Sequence, residues 1–106
     1  MSIQETIKQQ ITENPIILYM KGSAEMPLCG FSAKATKLLK SCGVQFATVN
    51  ILDNPEIRQG IKDYSNWPTL PQLYVNGEFI GGCDIMTEMH ESGELQELIK
   101  SVASAK

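Results

Sequence analysis

Cys29 stands between a loop ending in Pro27 and Leu28 and a helix that the pattern starts at Gly30, Phe31 and Ser32. At a helix N-terminus the unpaired N–H groups and the positive end of the macrodipole favour thiolate over thiol. A sulfur so placed can attack a disulfide or bind a metal. Three residues on, where a Cys-x-x-Cys redox motif would carry its second sulfur, the chain has Ser32, whose hydroxyl cannot close a disulfide. The partner thiol must come from somewhere else. Of the two other cysteines, Cys42 completes an apolar helical stripe and reads as packing. Cys83 follows Gly81-Gly82 at the start of another helix, where it can fill space, touch a ligand through its backbone, or resolve an oxidised Cys29. The backbone contact is the favoured reading.

The totals narrow the class of protein. With 106 residues, 42% of them hydrophobic, one core and one domain spanning residues 1–106 are expected. Nine basic and twelve acidic residues are spread along the chain for a net charge of -3, so no basic stripe points to nucleic acid. The stretch Met1 to Gln10 is polar, unlike a signal peptide or membrane helix, and an odd count of three cysteines does not resemble a secreted disulfide framework. A cytoplasmic chain in a reducing compartment is expected, and Met1 with no presequence favours a bacterial cytosol over a processed organellar chain.

The elements that must hold Cys29 follow from periodicity. Ile3, Ile7 and Ile11 predict a short amphipathic helix that Asn14 and Pro15 stop. Ile16 to Met20 is a continuous apolar run suited to a strand buried on both faces. After the loop Lys21 to Leu28, the residues Phe31, Ala35, Leu38, Leu39 and Cys42 define a buried helical stripe, with Gly43 suited to end it. Gln45 to Ile51 predicts a second strand. Asn54 and Pro55 supply an N-cap and first residue for a helix bearing Ile57, Ile61 and Tyr64. Gln72 to Val75 and Glu78 to Ile80 flank Asn76-Gly77, a hairpin signal, and two helices follow, one opened by Cys83-Asp84 around Ile85, Met86 and Met89, the other carrying Leu95, Leu98, Ile99 and Val102. A βαβ unit followed by a helix, a hairpin and helices gives an α/β fold whose mixed sheet is covered on both faces. Cys29 then lies at the carboxyl end of the first strand, the edge where open α/β sheets place ligands.

Three stretches, KGSAEMPLCGFS at Lys21 to Ser32, WPTLPQLY at Trp67 to Tyr74 and GGCDI at Gly81 to Ile85, together resemble the monothiol glutaredoxins of the CGFS class. The resemblance implies a thioredoxin-like fold with a four-stranded mixed sheet and an additional N-terminal helix. It implies bound glutathione and the handling of 2Fe-2S clusters more than fast disulfide reduction. Ala24 stands where many members carry proline, and Leu70 where many carry an aromatic or β-branched residue. By matching position, the glutathione site falls on Lys21, Arg58, Lys62, Leu70, Cys83 and Asp84, with Cys29 as the redox and cluster-ligating sulfur.

The chemistry suits those positions. Lys21, Arg58 and Lys62 can meet the glycine carboxylate of glutathione, and Arg58 and Lys62 fall four apart on one helical face. Without the resemblance, that pair would read as solvated helix surface. Asp84 can take the α-amine or act as a plain N-cap, and the first N–H groups of its helix can receive the γ-glutamyl carboxylate. A cis Pro71 is expected, leaving the Leu70 backbone to pair with the tripeptide. A 2Fe-2S centre takes four thiolates, and one exposed cysteine supplies one. The resemblance implies that two protomers and two glutathiones complete the set, giving a cluster-bridged homodimer that serves apo iron-sulfur acceptors and pairs with BolA-like proteins. Two other readings stand beside this carrier. One is a glutathione-dependent thiol-disulfide oxidoreductase acting through Cys29, at most a weak enzyme; the other is a cluster-free adaptor that docks through residues 22–28. His90 reads as a surface residue, and Trp67 with Pro68 as packing near Pro71.

Overall fold

The computed structural model describes residues 2–104; Met1, Ala105 and Lys106, which the expected domain includes, lie outside the described residues. In chain order the elements are α1 (Ile3–Glu13), β1 (Ile16–Met20), α2 (Gly30–Ser41), β2 (Ala47–Asn50), α3 (Pro55–Ser65), β3 (Gln72–Val75), β4 (Glu78–Gly81), α4 (Cys83–Ser92) and α5 (Glu94–Ser104). The sheet order is β2-β1-β3-β4. β1 runs parallel to β2 and antiparallel to β3, which pairs antiparallel with β4. This is the thioredoxin-like fold, with its mixed four-stranded sheet and N-terminal helix.

β1 is buried at all five positions because it is a central strand between two layers of helix. Its side chains alternate between those layers, as a pleated strand requires. Ile16, Leu18 and Met20 pack with Leu73 and Val75 against Ala35 and Leu39 of α2, Met86 of α4, and Leu95 and Ile99 of α5. Ile17 and Tyr19 pack with Tyr74 against Ile7 and Ile11 of α1 and Ile57 and Ile61 of α3.

Register then builds the functional edge. Tyr19 pairs with Gln72, so the end of β1 and the start of β3 lie side by side, and Lys21 and Pro71 emerge at the same rim of the sheet. Leu73 pairs with Gly81, which brings the chain leaving β4 to that rim as well. Gly82 packs so close to Pro71 that a β-carbon there would stand 3.1 Å from the Pro71 carbonyl oxygen.

Four expectations need correction. Phe31 is 63% exposed and does not belong to the buried stripe of α2, whose inward face near its start is Ser32, with Ala35, Thr36 and Leu39 beyond. Periodicity read apolar character and missed that the first turn of α2 overhangs the sheet edge. β2 is shorter than Gln45 to Ile51, ending at Asn50, whose side-chain oxygen accepts from the N–H groups of Gly22 and Leu52, each at 3.0 Å, and so turns the chain. Ile85, expected at the centre of the packing of α4, is 39% exposed. Asp84 is not an N-cap: Gly82 holds that place in extended backbone, and Asp84 lies exposed in the first turn.

Candidate functional site

Cys29 is the N-cap of α2, with extended backbone (φ -153°, ψ 141°). It is half-buried. Its thiol closes no cap hydrogen bond of ordinary geometry, but the amide groups of the first turn are directed toward the sulfur. The Ser32 N–H holds the Cys29 pKa below the ordinary thiol value; desolvation opposes it, and the Phe31 N–H, the Lys21 ammonium and the Ser32 hydroxyl add smaller lowering effects. Cys29 is thus poised toward thiolate. Cys42 shows the opposite environment. It packs against the core, its thiol donates to the Leu38 carbonyl at 3.4 Å, and burial pushes its pKa up. Cys83 is buried, and all three thiols are free.

The loop before Cys29 is held from several sides despite alanine at position 24. The Leu28 N–H donates to the Lys21 carbonyl at 2.9 Å, and the main chains of Ser23 and Met26 bond each other in both directions. The Lys40 ammonium reaches back from α2 to the Ala24 carbonyl at 2.8 Å. Gly22 has φ +92°, and a β-carbon there would fall 2.5 Å from the Met26 oxygen and 2.7 Å from the Leu28 nitrogen. Glycine is therefore obligatory at that position.

Beside this loop lies a cleft of about 160 Å³ lined by Phe31, Thr69, Leu70, Pro71, Cys83 and Asp84. The peptide bond between Leu70 and Pro71 is cis, as expected. On the far wall α4 begins at Gly82 with no side-chain cap, and the first bond of the helix is the Met86 N–H to the Gly82 carbonyl at 3.0 Å. The leading N–H groups of Cys83, Asp84 and Ile85 thus form an anion-receptive end. Larger hollows exist, one of about 520 Å³ near Pro15, Phe46 and Val102, one of about 560 Å³ near Thr6 and Glu56 and one of about 490 Å³ near Lys34, Lys37 and His90, but no cysteine lines any of them and none includes the cis-proline loop or the start of α4. Chemistry, not size, selects the small cleft.

The structure brings Leu70, Cys83 and Asp84 together in that cleft and sets Lys21 against Cys29. Arg58 and Lys62 lie one turn apart on α3 and are not part of the cleft lining. They connect to it through the chain: the Trp67 N–H bonds the Lys62 carbonyl at 3.1 Å as α3 gives way to the cleft loop. Trp67 is 44% exposed and packs its ring against Phe79, centroids 6.2 Å apart. His90 pairs with the Ser41 hydroxyl at 3.2 Å. Among the described residues no three His, Cys, Asp or Glu side chains converge on a metal position, and no helix is long and apolar enough to cross a membrane.

The glutaredoxin family model matches residues 16–80, which span the first three strands, the thiol, the cleft loop and most of β4. This chain belongs to the glutaredoxin family. Its Cys29-Gly30-Phe31-Ser32 tetrapeptide places this glutaredoxin in the monothiol CGFS class. Glutaredoxin 4 of Escherichia coli (strain K12) is 59% identical over 100 residues, covering 94% of this chain and 87% of that protein. Glutaredoxin 4 of Haemophilus influenzae (strain 86-028NP) is 55% identical over 104 residues, covering 98% and 97%. The solution structure of reduced poplar apo GrxS14 superposes with a TM-score of 0.83 at 47% identity, covering 96% of this chain and 94% of that one.

Two residues of the glutaredoxin site, Asn50 and Gln72, are marked by no apolar spacing in the sequence. Asn50 anchors the thiol loop through Gly22. Gln72, fully buried, donates from its side-chain amide to the carbonyls of Trp67 and Thr69, each at 3.2 Å, and so shapes the cleft loop. The available signal was a glutamine in an otherwise apolar strand, directly after Pro71.

Proposed function

We propose that this glutaredoxin binds glutathione in the cleft beside Cys29 and, as a homodimer, carries a 2Fe-2S cluster as cargo for apo iron-sulfur acceptors. The observation that carries the reading is one accessible, thiolate-prone sulfur next to a cleft walled by an uncapped helix N-terminus. Glutathione is anionic at its two ends. Its γ-glutamyl carboxylate matches the leading N–H groups of α4, its α-amine the exposed Asp84, and its backbone the Leu70 main chain. Lys21, with Arg58 and Lys62 reaching from α3, supplies the cationic side for the glycine carboxylate.

The donor count supports sharing of the cargo. Four thiolates are needed; Cys42 packs against the core and Cys83, though it lines the cleft, is only 7% exposed, so each chain offers Cys29 and each bound glutathione one more sulfur. Two of each complete the set. Ligands that exchange with free glutathione make the cargo transferable. Around the thiol, Met26, Leu28 and Phe31 are 69%, 60% and 63% exposed, an apolar rim that a second protomer or an acceptor would cover. The family resemblance extends the reading to BolA-like partners, and the odd count of three cysteines fits a reducing, cytoplasmic setting.

The lowered Cys29 pKa also supports a second reaction. The Cys29 thiolate attacks the glutathione sulfur of a protein mixed disulfide, the protein leaves as thiolate, and Cys29 becomes glutathionylated. A second glutathione thiolate then attacks that disulfide, releasing oxidised glutathione and restoring Cys29. Anaerobic reconstitution with ferrous iron, sulfide and glutathione, followed by iron counting and sizing, separates the two. A coloured dimer supports the carrier; a colourless monomer that turns over a glutathione mixed disulfide rapidly overturns it in favour of the oxidoreductase.

A further inference from the structure

We propose that Gln72 is a positioning residue that aims the Leu70 N–H into the glutathione cleft, an inference that rests on the glutathione reading above. Gln72 heads β3 and is 0% exposed. Both ends of its side-chain amide are engaged. The nitrogen donates to the carbonyls of Trp67 and Thr69 at 3.2 Å each, and the oxygen accepts from the Tyr74 hydroxyl at 3.2 Å. Tyr74 is itself buried among Tyr19, Tyr64 and Phe79, with ring centroids 5.3 to 6.0 Å apart, so the oxygen end of the amide is fixed and the nitrogen must face the loop.

The Thr69 carbonyl and the Leu70 N–H belong to one peptide unit, and that unit is trans. In a trans peptide the C=O and N–H point in opposite directions. Gln72 holds the carbonyl inward, so the N–H is turned outward, on the side where Thr69, Leu70 and Pro71 line the cleft. A bound tripeptide that pairs with the Leu70 main chain meets a donor already oriented. The side chain that does this lies beneath the loop and has no atom in the cleft lining.

The test is Gln72→Met, which keeps volume and removes the donors, beside Gln72→Glu, which sets a carboxylate against two carbonyls. Glutathione is titrated into isotope-labelled chains while the Leu70 amide resonance is followed, and alkylation of Cys29 by iodoacetamide is timed against pH. In the native chain the Leu70 resonance moves on saturation with glutathione. In both variants glutathione affinity falls at least about tenfold, as loss of an oriented hydrogen bond predicts, while the alkylation profile stays within twofold because the first turn of α2 is untouched. If a folded Gln72→Met chain binds glutathione with native affinity and the same Leu70 shift, Gln72 has no positioning role. If affinity and alkylation fall together, the residue serves only general stability and the inference is overturned. A native chain whose Leu70 resonance ignores glutathione overturns the glutathione reading itself.

Discussion

The backbone N–H of Lys21 donates to the fully buried Oγ of Ser32 at 3.1 Å. That bond ties the last turn out of β1 to the first turn of α2, with Cys29 held in between. The residue that deprives the motif of a second sulfur is therefore also the buried acceptor that fixes the first one in place. Its amide and hydroxyl both favour the Cys29 thiolate.

Replacing Ser32 with alanine leaves the Lys21 N–H without its acceptor in a partly buried setting, at a cost of about 1 kcal/mol. The Cys29 pKa shifts upward as well, because the hydroxyl contribution is lost. Chemical denaturation measures the first effect and the ultraviolet absorbance of the thiolate against pH the second.

Lys21→Gln removes a positive charge facing Cys29 and raises the pH at which Cys29 ionises, read as the midpoint of its alkylation rate. The sign of the stability effect follows from the lowered folded-state value. Stabilisation from the ionised thiol is present above the unfolded-state pKa and is lost as pH falls through the folded one. The native chain should lose this contribution over a lower pH window than the variant, and an unchanged midpoint would show that the ammonium is irrelevant to the sulfur.

Gly22→Ala forces a β-carbon into the Met26 oxygen and Leu28 nitrogen at a backbone angle of φ +92°. The loop must open, at a cost of at least about 1–3 kcal/mol. Amide exchange at Leu28 and Met26 should speed up, and Cys29 alkylation should lose its uniform pH profile, whereas the same substitution at Gly30, where a β-carbon meets nothing within 4 Å, should leave both nearly native.

Asp84→Asn separates binding from folding. Asp84 is exposed in the first turn of α4, so loss of its charge costs only about 0.3–1 kcal/mol through the helix dipole. Glutathione affinity, measured by calorimetry, should fall about tenfold or more with the loss of a charged partner for the α-amine.

Much of this was legible in the residues. Ile16 to Met20 announced a strand buried on both faces because no polar residue interrupts it, and Asn76-Gly77 announced the hairpin by turn chemistry. Cys29 was legible because a strand, a loop and a helix start meet there. Phe31 was misplaced, since spacing alone cannot tell a residue over the sheet from one that overhangs its edge. Asp84 stands two positions past Gly82, the N-cap, and so lies too deep in its helix to cap it. Gln72 and Asn50 escape periodicity for a different reason. Asn50 bonds Gly22 across the fold, and Gln72 bonds Trp67 and Thr69 of the loop just before it; which backbone group a polar side chain meets is set by tertiary packing, not by the spacing of apolar residues.

The most direct test is the native mass of the species formed anaerobically from the chain, ferrous iron, sulfide and glutathione, with Cys29→Ser alongside. The native sample should yield two chains, two glutathiones and one 2Fe-2S cluster held by four thiolates, and Cys29→Ser no cluster. A cluster-bearing species that lacks glutathione, or one that persists in Cys29→Ser, would overturn the cluster-bridged homodimer.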